Sequence, residues 1–275
     1  MHAERPPRGD GDEAPEPLFE DLLEPREPPA TAAEAVLAMG MWERPEHAAH
    51  GHRPRVLLNM VSTLDGRATL DGRSGALSAR ADRALFHALR AATDAVLVGA
   101  GTARAERYGR IIPDPDTRRE RERRGMSAEP LACIVSGRLT LDPQLPLLAQ
   151  QGARVAMLTA SGASLPATAA SVEYVRTARE GTLDLAAALA QVRERFGVRS
   201  MLCEGGPHLA RQLLGEGLLD ELALSLSPLL AGGEPSSGEA LRILAGAELD
   251  PPVPARLVGV LRSGSQLFLR YCVSA

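Results

Sequence analysis

The chain contains no lysine, so all 31 of its basic residues are arginine. That absence excludes whole enzyme classes. A Walker phosphate loop needs the lysine of its GK[ST] signature, and Schiff-base chemistry needs a side-chain amine. P-loop nucleotide hydrolysis and pyridoxal catalysis are therefore out of reach, and a biased genomic base composition accounts for the replacement of lysine by arginine. Cysteine is also scarce. Cys133, Cys203 and Cys272 are odd in number, far apart and set in or beside apolar runs, which predicts buried free thiols rather than disulfides or a metal knot. No run approaches the roughly 20 apolar residues of a membrane span, and the start is acidic and proline-rich, unlike a targeting segment. These features predict a cytoplasmic protein without a membrane partner. The net charge of −4 gives no reason to expect nucleic acid.

The composition divides the 275 residues into an N-terminal extension, residues 1–50, and one main domain, residues 51–275. From Met1 to Pro29 the chain is rich in Pro, Glu, Asp and Arg and nearly free of β-branched residues, so it predicts disorder. LFEDLL (Leu18 to Leu23) and TAAEAVLAMGMW (Thr31 to Trp42) are apolar enough to form helices that dock on the main body. The histidine cluster Glu46 to His52 fits no standard metal spacing, and no metal site is expected.

From Arg55 onward, strand-like runs alternate with helical patterns. Arg55–Val61, the run before Gly99, Leu131–Ser136, Arg154–Thr159, Val172–Val175 and the run from Ser200 read as strands. Helices are expected at Ala79–Ala92, Leu183–Phe196 and Pro207–Gly215. The alternation predicts an α/β fold with a mostly parallel central sheet and helices on both faces. Pro254–Arg262 and Ser265–Val273 flank a Gly-containing turn and predict a C-terminal antiparallel hairpin. In the last strand both faces are partly apolar, so it predicts an edge that needs cover. The polar stretch from Tyr108 to Pro130 reads as a long surface loop, with TRRERERRG (Thr117 to Gly125) a solvated helix or mobile flap rather than a phosphate clamp.

Two strand-to-helix junctions carry the chemistry: AVLVGAGTARAE (Ala95 to Glu106) and SMLCEGGPHLARQLL (Ser200 to Leu214). In each, a buried-strand run ends in paired or near-paired glycines, after which a helix can start. Glycine lets backbone approach a ligand closely, and the free N–H groups of a first helical turn favour negative charge. Two such junctions suit a ligand with several phosphates, and a dinucleotide is the obvious candidate. An ordinary Rossmann fingerprint is incomplete, because Gly99 and Gly101 are followed by Arg104 where the third glycine belongs. Pro207 suits the first position of the second helix, which leaves Glu204 at a strand end beside Gly205 and Gly206. A carboxylate there needs donors, so Glu204 is either a ligand contact or a helix N-terminal partner. NMVSTLDGRAT (Asn59 to Thr69) places Thr63 and Asp65 just after the first strand, in a segment that also fits a simple turn.

Taken together, TLDGRAT, the helix ending FHALRAATDAVLVGAGT, the CEGGPHLA junction and LLDELALSLSPLLAGG (Leu218 to Gly233) resemble the bacterial riboflavin-biosynthesis reductases, the carboxyl-terminal domain of RibD-type proteins. The similarity runs from about Arg53 to the end. It implies a dihydrofolate-reductase-like fold, a homodimer and an NADPH site. Gly99, Gly101 and Thr102 would wrap the pyrophosphate, Gly205 and Gly206 would approach the nicotinamide, and Ser136 and Arg138 would meet the 2′-phosphate. Thr63 and Asp65 match the substrate lip, Asn59 is a further substrate contact where many relatives carry lysine and some asparagine, and Asp65 and Glu204 would be the acids of the cleft.

The chain departs from the family where an Asp-Asp-Pro-x-Leu-Thr segment is expected. It reads ARAERYGRIIPD after Thr102, which makes Arg104 and Arg107 candidate contacts for a substrate phosphate, with Arg83 and Arg90 sharing a helical face nearby. P-C-x-x-C does not occur, so the chain carries no zinc deaminase beside the reductase. The readings are reduction of the phosphoribosylamino-uracil intermediate, reduction of dihydrofolate or another pterin-like heterocycle, or a non-catalytic nucleotide-binding module.

Overall fold

The computed structural model describes residues 15–25, 27–41, 52–233 and 241–273. Trp42 and residues 46–51 of the histidine cluster lie outside the described residues. The elements run β1 (Glu20–Asp21), α1 (Ala32–Ala38), β2 (Arg55–Thr63), α2 (Arg80–Ala92), β3 (Ala95–Gly99), α3 (Ala100–Ala105), α4 (Pro115–Arg123), β4 (Leu131–Val135), β5 (Arg154–Thr159) and β6 (Ser171–Arg176). They continue with β7 (Ala178–Arg179), β8 (Thr182–Leu183), α5 (Leu185–Phe196), β9 (Ser200–Cys203), α6 (Pro207–Gly215), β10 (Glu221–Ser227), β11 (Ala255–Ser263) and β12 (Gln266–Val273). Ten strands form one sheet in the order β1-β11-β12-β10-β2-β9-β3-β4-β5-β6. From β10 to β6 every pairing is parallel, and from β10 to β1 every pairing is antiparallel. The mostly parallel sheet and the C-terminal hairpin agree with the sequence pattern.

Strand alternation sorts the core onto two faces. On β2, Val56, Leu58 and Met60 turn to the face covered by α5 and α6, where Leu189, Val192, Ala210 and Leu213 meet them. Leu57 and Leu202 turn the other way, against Leu85 and Leu89 of α2 and Val36 of α1. Further along that second face, Val96, Val98 and Ile134 pack against Ala100 and Ala103 of α3. Cys133 and Cys203 are buried free thiols and Cys272 a half-buried one. Burial alone pushes the Cys133 thiol up to about 12.

Three expectations are corrected. β12 is not an edge: it lies between β10 and β11, and the outer side of β11 carries β1, with Glu20 opposite Arg262 and Asp21 opposite Leu261. The edge argument for a dimer therefore falls, because the N-terminal segment supplies the cover. LFEDLL accordingly forms no helix. A segment this short has no stable helical nucleus of its own, whereas its backbone completes the β11 ladder while Phe19 buries against Phe268, ring centroids 5.2 Å apart. Thr31 and Glu34 form a reciprocal capping box that starts α1, as the second segment led us to expect.

The stretch from Tyr108 to Pro130 is likewise not a surface loop. Tyr108, Ile111 and Ile112 are core residues, and Asp114 caps α4 through the Asp116 and Thr117 amides. Within that arginine-rich helix Arg121 is only 1% exposed. It donates to the carbonyls of Ala91, Thr93 and Ser127, pinning α4 to the end of α2. Replacement by methionine keeps the stem but leaves buried carbonyls without donors, at a cost of about 2–3 kcal/mol. We expect Arg121→Met to lower the urea midpoint accordingly, while Arg119→Met, at an exposed position of the same helix, leaves it unchanged.

Candidate active site

The parallel strands β2, β9 and β3 end together, and a cavity of about 430 Å³ opens there. Open α/β sheets bind ligands at this edge because the connecting helices begin at it. Its walls include Asn59 on β2, Gly99, Gly101 and Thr102 at the β3–α3 junction, and Glu204 and Gly206 at the β9–α6 junction. The two glycine junctions thus share one cavity. They also touch, since the Gly99 amide donates to the Gly205 carbonyl at 2.8 Å. Gly205 has φ +84°, a region suited to glycine, and the Gly205–Gly206 peptide is cis. At Gly206 a side chain has no room: an ideal Cβ would lie 2.5 Å from Thr102 Oγ1. The helix starts at Gly99 and Gly206 have no side-chain cap, so their first amides are left to solvent or to a ligand.

The floor of the cavity is a buried charge network. Arg90 of α2 grips Glu204 with two bonds of 2.7 Å, Nε to Oε1 and Nη2 to Oε2. The Tyr108 hydroxyl donates to Oε2 as well. Arg90 also donates to the Ile111 carbonyl at 3.3 Å and lies 4.2 Å over the Phe86 ring. Burial works against the Arg90 cation, yet the Glu204 carboxylate beside it raises its pKa above the usual value. Tyr108 is pushed well above the ordinary phenol range, first by burial and then by the same carboxylate. The geometry is that of a buried bidentate ion pair with a phenol donor beside it.

This network corrects two expectations. Arg90 does not share a solvated or phosphate-binding stripe with Arg83, because its guanidinium is spent on Glu204. The role of proton donor expected of Glu204 does not fit either, since both carboxylate oxygens already accept bonds from a cation. Asp65 is corrected as well. It is not in the cavity wall; its carboxylate accepts from Thr63 and from the Ala231 and Gly232 amides. Those donors hold it down to about 2, so it stays ionised and ties the loop after β2 to the loop after β10. Thr63 is buried and bonded to Asp65 and to the Arg67 amide rather than placed at the lip.

Arg104 and Arg107 also miss the wall. α3 turns Ala100 and Ala103 inward and Arg104 outward, and Arg107, just past the helix end, is exposed as well. Ser136 and Arg138 follow β4, the strand next to β3. Ser136 is buried with its Oγ accepting from the Leu139 amide, and Arg138 is exposed.

The structure adds wall residues that the sequence reading missed: Ser78, Asp82, Glu106, Tyr108 and His208. Ser78 donates to Asp82, and Glu106 accepts from the amide and hydroxyl of Ser74 at 2.9 and 3.0 Å. His208, directly after the Gly-Gly-Pro turn, had a usable signal. Tyr108 had none, because nothing in its neighbourhood announces a partner 96 positions away.

A profile of the RibD C-terminal domain matches residues 54–268. A 2,5-diamino-6-ribosylamino-4(3H)-pyrimidinone 5′-phosphate reductase of Archaeoglobus fulgidus is 28% identical over 186 residues, covering 67% of this chain and 84% of the relative. The protein of the same name from Methanothermobacter thermautotrophicus is 27% identical over 230 residues, covering 80% and 99%. Among solved structures, a pyrimidine reductase-like protein of Corynebacterium diphtheriae superposes with a TM-score of 0.66 at 22% identity, covering 90% of this chain and all of that one; it supports the fold alone. The first two relatives are archaeal, so the bacterial restriction on the expected family does not hold. On the extent of the profile match, the chain belongs to the RibD C-terminal domain family.

Proposed function

We propose that the chain is an NADPH-dependent reductase acting on a phosphoribosylamino-pyrimidine of riboflavin biosynthesis, the substrate class named for its archaeal relatives. The carrying observation is that both glycine junctions, Asn59 and the Glu204 carboxylate open into one cavity at the carboxyl edge of the sheet. Reduced nicotinamide, when bound, supplies a hydride. The residues of this chain bind, orient and exclude water. The uncapped starts of α3 and α6 offer amides to a pyrophosphate, and Gly206 admits it closely. Glu204, held by Arg90, offers a fixed acceptor to the amino groups of a heterocycle, and Asn59 offers both a donor and an acceptor. Apolar Met60, Phe86 and Leu209 complete the wall and keep the reacting centre dry. With Asp65 and Glu204 both committed as carboxylates, the proton is supplied by water or by His208. A cytoplasmic location follows from this reading.

One observation favours a second reading. The described wall residues include Asp82, Glu106 and Glu204 but no arginine, a lining that suits the neutral pterin ring of a substrate such as dihydrofolate. Following nicotinamide absorbance with each substrate separates the two, and a protein inert towards both is the non-catalytic nucleotide-binding module. Turnover of the phosphorylated pyrimidine is the expected result; turnover of dihydrofolate alone would overturn the riboflavin assignment.

Cofactor choice follows from Ser136 and Arg138, one strand away from the β3–α3 junction and thus within reach of an adenosine 2′-phosphate. A charge-assisted bond contributes roughly 1.5–3 kcal/mol, on the order of ten- to a hundredfold in affinity. We expect calorimetric titration to show NADPH bound more tightly than NADH, and Arg138→Ala to erase the difference without weakening NADH. Crowding Gly206 should affect both cofactors. Gly206→Ala is expected to weaken NADPH on the order of tenfold, and Thr102→Ala in the same protein to restore part of the loss, because Thr102 Oγ1 is the atom a Cβ meets. For the assembly we propose a homodimer, on the family resemblance and on the exposed apolar side chains of Leu64, Leu229 and Leu230. Light scattering at micromolar concentration should give twice the chain mass.

A further inference from the structure

Tyr108 lies in the segment that departs from the family pattern, and it is the least expected member of the cavity wall. The residue is 9% exposed, its amide donates to Ala103 and its carbonyl accepts from Leu147, so the position of its hydroxyl is fixed by the fold. Each carboxylate oxygen offers about two lone-pair sites. On Glu204, Oε2 uses both, one for Arg90 Nη2 and one for the Tyr108 hydroxyl. Oε1 uses one, for Arg90 Nε. One lone pair on Oε1 is left for a ligand.

We propose that Tyr108 is a positioning residue: by closing Oε2 it makes Oε1 the single carboxylate acceptor that a bound amino-heterocycle meets, and so fixes the register of that ring. The proposal rests on the reductase reading above. A heterocycle with two neighbouring N–H donors would otherwise find two acceptors and two ways to sit, of which one brings the reacting carbon to the nicotinamide. Arg90 holds the carboxylate in place; Tyr108 decides which part of it is available. The residue belongs to this chain's own segment, and the same contact accounts for how the site orders its substrate without the missing Asp-Asp-Pro motif.

Tyr108→Phe tests this, because it keeps the ring, its packing and the 5.5 Å approach to the Arg90 guanidinium and removes only the hydroxyl. With Oε2 open, unproductive binding competes with productive binding. The expected result is a fall in kcat and in KM for the phosphorylated pyrimidine by a similar factor, on the order of threefold or more, with KM for NADPH unchanged. Calorimetry on the protein without cofactor should show the pyrimidine bound more tightly by the variant. A residue that merely forms the wall would give a different result: unchanged constants, or a raised KM with kcat intact, and either outcome overturns the proposal. If the wild-type protein neither binds nor reduces the pyrimidine, the substrate reading itself has failed, and the proposal falls with it; a wild-type protein that is active beside an indistinguishable Tyr108→Phe condemns the proposal alone.

Discussion

The buried pair of Arg90 and Glu204 joins three parts of the chain at the floor of the cavity. Arg90 comes from the last turn of α2, Glu204 from the end of β9, and the Ile111 carbonyl and Tyr108 hydroxyl from the segment after α3. Two ions taken out of water are costly unless geometry and further bonds compensate, and breaking such a pair by removing one partner costs about 3–5 kcal/mol. Here the geometry is bidentate, an aromatic face lies against the cation, and a neutral donor completes the anion. The cavity floor depends on that compensation. Without Arg90, Glu204 would be an unpaired charge under the ligand; without Glu204, the segment carrying Tyr108 would lose its tie to the strand ends.

The same arrangement explains why the site lies where it does. β2, β9 and β3 are adjacent and parallel, so their ends, and the helices and loops that follow them, converge on one edge. The pairings β2–β9 and β9–β3 bring Asn59, Glu204 and Gly99 within one cavity although they are separated by long stretches of sequence. Asp65 contributes from outside. As a permanently ionised carboxylate bonded to the amides of Ala231 and Gly232, it fixes the two loops that border the mouth.

Much of the architecture was legible in the sequence, because strand and helix periods are local properties. Runs such as Ala95–Gly99 and Arg154–Thr159 could hardly be anything but buried strands, and the glycine junctions announced the cavity edge. What local pattern does not encode is partnership. Arg90 sits on a helix beside the apolar stripe of Leu85 and Leu89 and reads as a solvated residue until Glu204, 114 positions later, is known to face it. Arg121 misled in the same way, since an arginine among arginines gives no sign of which one turns inward to the carbonyls of α2. Arg104 and Arg107 were drawn into the expected site by proximity in sequence, but the phase of α3 turns Arg104 outward and Arg107 lies exposed just past the helix. The edge strand was misjudged for a related reason. β12 reads as needing cover, but its side away from the β11 hairpin is taken by β10, and the outer side of β11 is taken by β1 from the other end of the chain.

The arm that covers β11 also imposes an order of events on synthesis. Phe19 is among the first described residues to leave the ribosome, while Phe268, the ring it packs against, is among the last. Contacts between such distant positions carry a large loop-closure entropy and form late. The parallel half of the sheet, from β2 through β9, can assemble while the C-terminal strands are still being made, and the cavity edge with it. α1 can dock on α2 early, but β1 has no strand to pair with until β11 exists, so a nascent chain stalled before Ala255 would leave Phe19 without its Phe268 partner.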